Sequence, residues 1–144
     1  MRYMIIVKAN AASEAGEIPS NEIIEAMGRF NDELIGAGVL VAGEGLQSSA
    51  HGARVKFSGG GFTVTDGPFA NPGSLVAGFW IIDVRDRDEA LAWIRKIPFE
   101  EGEEVELRKV FEAADFAEGG VDPQLIENER LQRERLAGAA ANNG

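Results

Sequence analysis

The ten residues Leu75 to Val84 constrain this chain more than any other segment. Both alternating sets of side chains are mostly apolar, Leu75, Ala77, Phe79 and Ile81 on one side and Val76, Trp80, Ile82 and Val84 on the other. A strand of that kind is covered on both faces. Two amphipathic helices are legible. One follows Ser20, a good N-cap, and its apolar positions Ile23, Met27, Phe30 and Leu34 keep the 3-and-4 spacing of a buried stripe, with Gly36 and Gly38 marking its end. The other begins at Asp86, with Glu89 as a capping-box partner and Ala90, Leu91, Ile94 and Ile97 as its inner face, and Pro98 stops it. Two helices cover only one face of a sheet. The second face needs another cover, and the simplest is a second copy of the chain, which predicts a homodimer with an enclosed space between the sheets.

The rest of the chain supplies the other strands. Residues 1–8 read as a strand and Asn10 to Pro19 as a polar loop. Val39 to Val41 reads as a strand running into Gly43-Glu44-Gly45-Leu46. Arg54 to Ser58 and Phe62 to Thr65 alternate about a Gly59-Gly60-Gly61 turn, a hairpin with one wet face. Glu104 to Phe111 alternates again. The order is β-α-β, hairpin, β-α-β: an α+β chain with a ferredoxin-like βαββαβ pattern and an added β-hairpin over residues 1–111.

Residues 112–144 differ in character. Asp122-Pro123 starts a helix whose stripe of Leu125, Ile126, Leu131 and Leu136 is thin, with Glu129 and Arg133 as an i,i+4 pair. Gly138 to Gly144 is expected to be disordered. No internal repeat is visible.

Composition excludes several function classes. Of 144 residues, Lys+Arg number 14 against 24 Asp+Glu, a formal charge of −10 that repels phosphate backbones and anionic membranes. With no cysteine, disulfides, thiolate chemistry and Cys-type zinc sites are ruled out, and a single histidine is too few for a metal-dependent glyoxalase-type enzyme. The glycine triplet lacks the Lys-Ser/Thr ending of a P-loop. No metal or cofactor is expected. Lys8 breaks the first apolar run too early for a signal peptide, and no stretch approaches the roughly 18 apolar residues of a membrane span. A cytoplasmic location is the expectation.

Three segments carry a resemblance: Gly43-Glu44-Gly45-Leu46, Thr65-Asp66-Gly67-Pro68-Phe69, and Gly78 to Val84 leading into Asp86–Ala90. In this order they resemble the DGPF proteins of the YCII-related family, over roughly residues 1–111. The resemblance implies a ferredoxin-like dimeric α+β barrel. It also implies an association with sigma factors of the extracytoplasmic-function type, as is frequent for DGPF members. Members typical of YciI carry a His–Asp pair proposed as an active site, with the histidine near the first helix. Here Asn21 to Leu34 contains no histidine, so that dyad does not carry over.

Five residues are candidates for chemistry. Asp66, at the mouth of an apolar barrel, could act as a general base, though an Asp before Gly67-Pro68 also suits a purely structural turn. Glu44, between two glycines, could bind a ligand's amine or hydroxyl or share a proton with Asp66; the alternative is a solvated bulge. His51 is a possible base in what reads as an exposed loop. Trp80 belongs to the core and could also line a cavity. Arg54, with Lys56 on the wet hairpin face, could hold an anionic ligand or simply be solvated. The leading reading is a small-molecule-binding dimeric barrel with acid/base chemistry at Asp66 and Glu44. The alternative is a regulatory or interaction module whose acidic surface meets a protein partner with a basic face, such as a sigma factor.

Overall fold

The computed structural model describes residues 1–143. It divides after Lys109 into two compact units, each described by itself.

In the first unit a four-stranded antiparallel sheet is built from β1 (Arg2–Lys8), β2 (Leu40–Gly45), β5 (Val76–Asp83) and β6 (Val105–Lys109). Their spatial order is β2-β5-β1-β6. The hairpin β3 (Ala53–Ser58) and β4 (Gly61–Asp66) forms a separate two-stranded sheet. The helices are α1 (Ala11–Glu14), α2 (Asn21–Gly36) and α3 (Arg87–Ile94). The single chain thus forms an open sheet and not a closed barrel.

Local chemistry explains the helix ends. Ser20 Oγ accepts from the Ile23 amide at 3.3 Å and starts α2, and Gly38, at φ 71°, turns the chain out of it. Asp86 Oδ1 accepts from the Glu89 amide at 2.9 Å, while the Glu89 carboxylate reaches past the N-cap to the Arg85 amide at 2.7 Å. A single turn, α1, interrupts the expected Asn10–Pro19 loop because Asn10 and Ser13 cap each other reciprocally, amide to side-chain oxygen, at 2.9 Å.

The core lies on one face of the sheet. Ile5, Leu34 and Ile82 are fully buried, joined by Tyr3, Phe30, Trp80 and Ala90. Phe30 and Trp80 meet edge to face, 5.4 Å between ring centres. Along α2, Phe30 and Leu34 are buried and Met27 packs on the core, but Ile23 is exposed, so the inner stripe starts a turn later than its spacing suggests. On the opposite face of the sheet Met4, Ile6, Phe79 and Ile81 are only half-buried. The apolar pattern of β5 is therefore two-sided in sequence and one-sided in coverage within the chain.

The hairpin also differs from its expectation of one wet face. Register places Val55 opposite Val64 and Phe57 opposite Phe62, giving one apolar side. That side is uncovered in the chain: Phe57 is 80% and Phe62 66% exposed.

The second unit holds α4 (Ala113–Glu118) and α5 (Pro123–Asn142). Asp122 caps α5 through the Gln124 amide at 2.8 Å. Arg130 bridges Glu127 at 2.7 Å and also pairs with Glu134, and Arg133 pairs with Glu129 as the spacing predicts. Such exposed pairs add little to stability, because water screens them. The helix continues through Gly138 to Asn142, where disorder was expected. Ala137, Ala139, Ala140 and Ala141 surround that glycine, and alanine is the best helix former. No helix among the described residues is long and apolar enough to cross a membrane.

Candidate functional site

A pocket of about 770 Å³ opens between the β2–β5 side of the sheet and α2. Met27 and Asn31 of α2, Trp80 of β5 and Phe99 form its walls, and the loop through Glu17, Ile18 and Pro19 forms a lip. Its floor is the backbone of Gly43, Gly45 and Gly78.

The floor follows from strand register. Gly43 faces Trp80 and Gly45 faces Gly78 across β2 and β5. A Cβ on Gly43 would stand 2.9 Å from the Trp80 indole, so glycine lets the indole lie across the strand. On Gly78 a Cβ would stand 2.8 Å from the Glu44 carbonyl oxygen. On Gly45 it would meet nothing within 4 Å, because there it faces open space. The indole itself is anchored. Its Nε1–H donates to Asn31 Oδ1 at 2.8 Å, and its ring packs against Phe30 and Phe99.

The expected site residues separate into two places. Glu44, His51 and Trp80 line the pocket; Asp66 and Arg54 do not. Glu44 is not in a loop after the strand but inside β2, opposite Phe79, because β2 extends four residues past Val41 to Gly45. Strand alternation puts its side chain on the face opposite Gly43 and Gly45, at the border of the pocket on an edge strand. His51 ends a short 3₁₀ turn, Ser49–His51, and is exposed. Trp80 is both core and pocket wall. Asp66 closes β4 opposite Ala53 and is exposed, so it is not brought together with Glu44 in the pocket. The Arg54 guanidinium lies 3.9 Å over the Phe69 ring.

Behind Asp66 lies a network that the sequence reading missed. The Glu14 carboxylate accepts from Ser49 N–H at 3.0 Å and from Ser49 Oγ–H at 2.5 Å. Ser49 Oγ in turn accepts from the Phe69 amide at 2.9 Å, and Gly67 N–H donates to the Gly52 carbonyl at 3.0 Å. This ties α1, the 3₁₀ turn and the base of the hairpin together. Asp-Gly-Pro-Phe therefore works here mainly through Gly67 and the Phe69 amide. No local pattern announces contacts between residues 35 and 20 positions apart.

The Ser49 hydroxyl, and after it the Ser49 amide, hold the Glu14 carboxyl below the ordinary glutamate value of 4.5. A carboxyl with a lowered folded pKa contributes stability that is fully present above its unfolded value and fades as pH falls toward the folded one. We expect Glu14→Gln to be less stable than the wild type at neutral pH, with the difference shrinking below pH 4.5. Urea denaturation at stepped pH measures this, and a pH-independent difference would contradict it.

The family model of the YCII-related domain matches residues 1–114, and the chain belongs to that family. A search of curated proteins returns no match.

Proposed function

We propose that the chain binds a small, mainly apolar molecule in the pocket between β2, β5 and α2, as one half of a homodimer. The observation that carries the reading is the pocket's construction, an anchored Trp80 beside a glycine floor in which Gly45 leaves open the space a side chain would fill. Pockets of this size with apolar walls and few polar groups suit drug-sized ligands. Proton transfer at this pocket would fall to His51, because the Glu44 side chain leaves β2 on the face opposite Gly43 and Gly45 and Asp66 belongs to the hairpin base. Gly45→Leu projects a side chain into the open space and should abolish binding of a neutral aromatic probe such as 2-naphthamide, measured by calorimetry. Undiminished binding by a folded Gly45→Leu protein would defeat the reading.

The dimer is supported by the half-covered side of the sheet. With the hairpin set aside, the strand order β2-β5-β1-β6 is that of a ferredoxin-like βαββαβ unit, and Met4, Ile6, Phe79 and Ile81 are the side chains a second sheet would bury. We expect sedimentation equilibrium to give about twice 15.4 kDa, and Ile81→Asp to shift the mass to that of the monomer. A concentration-independent monomer in the wild type would remove this part of the proposal.

A second reading is favoured by the uncovered hairpin. Val55, Phe57, Phe62 and Val64 form the kind of exposed apolar surface that meets a protein. It fits the reading of this chain as a regulatory or interaction module associated with an extracytoplasmic-function sigma factor. Phe57→Ser with Phe62→Ser would then abolish the association and leave pocket binding intact.

A further inference from the structure

One polar side chain in the pocket wall has its direction set by a neighbour. Asn31 lines the pocket from α2, between apolar Met27 and the ring of Trp80. An indole N–H only donates, so the 2.8 Å bond to Trp80 takes the Asn31 oxygen, and the two N–H donors of the same amide are what remains to offer. Among the described residues no group accepts from them. The place of the amide is fixed as well. A Cβ on Gly43 would stand 3.4 Å from the same indole nitrogen, so the bond to Asn31 sits at the Gly43 end of the glycine floor. The hydroxyls on the lining are committed elsewhere: Ser13 donates to the Asn10 carbonyl at 3.1 Å and Ser48 to the Glu14 carbonyl at 2.8 Å. Gln47 and His51 are exposed, where water competes for them. Resting on the pocket reading above, we infer that this site takes a flat aromatic molecule bearing a carbonyl, an aryl ketone, lactone or amide, whose oxygen accepts from Asn31 Nδ2–H. The apolar walls take the ring. A ligand with no acceptor displaces water from the Asn31 N–H groups and gives them no partner, which costs free energy. Trp80 is then a positioning residue, because its N–H decides which end of the amide faces the ligand.

Two neutral probes of one shape isolate that bond: 2-acetylnaphthalene, which accepts, and 2-isopropenylnaphthalene, in which a methylene group replaces the oxygen. Equilibrium dialysis with the full chain gives the affinity of each. The two also differ in hydrophobicity, so the readout is the change in their affinity ratio between wild type and variant, where that difference cancels. Asn31→Asp keeps an oxygen for the Trp80 N–H and, at pH 7, removes both donors. It should lower the affinity of the ketone relative to the hydrocarbon by about fivefold or more, the size expected of one hydrogen bond. An unchanged ratio in a folded Asn31→Asp protein overturns the acceptor inference and leaves the pocket reading standing. If that variant does not fold, Asn31→Leu placed in the Trp80→Phe protein, where no indole N–H can take over, should show the same loss against Trp80→Phe alone. No loss there overturns the inference equally. Failure of both probes to bind the wild type overturns both readings. So does binding of both that survives Gly45→Leu, because the ligand then sits elsewhere.

Discussion

Replacing Gly67 with alanine should destabilise the protein far more than replacing the neighbouring Asp66 with asparagine. A Cβ at Gly67 would lie 1.8 Å from the Ser49 carbonyl oxygen and 2.6 Å from its carbonyl carbon. The obstacle is backbone, and the Glu14 carboxylate holds Ser49 in place through both its amide and its hydroxyl. Either the hairpin base or the 3₁₀ turn must move, breaking the Gly67–Gly52 and Phe69–Ser49 hydrogen bonds on the way. Overpacking commonly costs about 1–3 kcal/mol, and a clash with anchored backbone belongs at or above the top of that range. Asp66 is exposed at the end of β4, so Asp66→Asn should cost no more than about 1 kcal/mol. Urea denaturation of both variants tests the pair. An Asp66→Asn protein less stable than Gly67→Ala would return the weight of this motif to its carboxylate.

Trp80→Ala should be the most damaging single substitution in the pocket wall, at about 3–5 kcal/mol. The indole is 8% exposed, packs edge to face on Phe30, touches Phe99 and lies over Gly43. Its removal leaves a cavity continuous with the pocket and takes away the Asn31 partner. Small domains have only about 5–15 kcal/mol of stability in total, so this variant stands near the limit of folding. Trp80→Phe keeps most of the ring and loses the 2.8 Å bond to Asn31, and it should cost about 1–2 kcal/mol. Chemical denaturation of the two variants separates packing from hydrogen bonding. If Trp80→Ala were as stable as Trp80→Phe, the indole would belong to the pocket and not to the core.

These expectations rest on features of unequal legibility. Ser20, Asp86 and Asp122-Pro123 all start helices where their side chains suggest, because a cap acts on amides two or three residues away. The alternation of the hairpin strands survives for a similar reason, cross-strand pairs such as Val55–Val64 being joined by a short turn. Gly43-Glu44-Gly45 is the instructive failure. Glycine is poor in strands on average, and two of them around an acid read as a loop. In place, Gly43 makes room for the Trp80 indole and Gly78 for the Glu44 carbonyl, so one glycine admits a side chain across the strand and the other a neighbouring backbone. Glu44 thereby moved from a loop to an edge strand, and away from Asp66.

Short-range chemistry is what the chain carries on its face: helix caps, the 3.6 and 2 periodicities, a glycine turn, a net charge of −10 that disfavours phosphate partners, and motif residues sufficient to mark the YCII-related family. Tertiary structure alone decided which carboxylates meet which partners. Glu14 acquires its role from Ser49, 35 residues on, and Ser49 from Phe69, a further 20. The pocket likewise joins Glu17, Asn31, Gly45, His51 and Trp80 from five separate segments. A periodicity reports which way a side chain faces relative to its own element; it holds no information on which other element will stand opposite. That is settled only when strands pair in the order β2-β5-β1-β6 and a helix closes over one side of them.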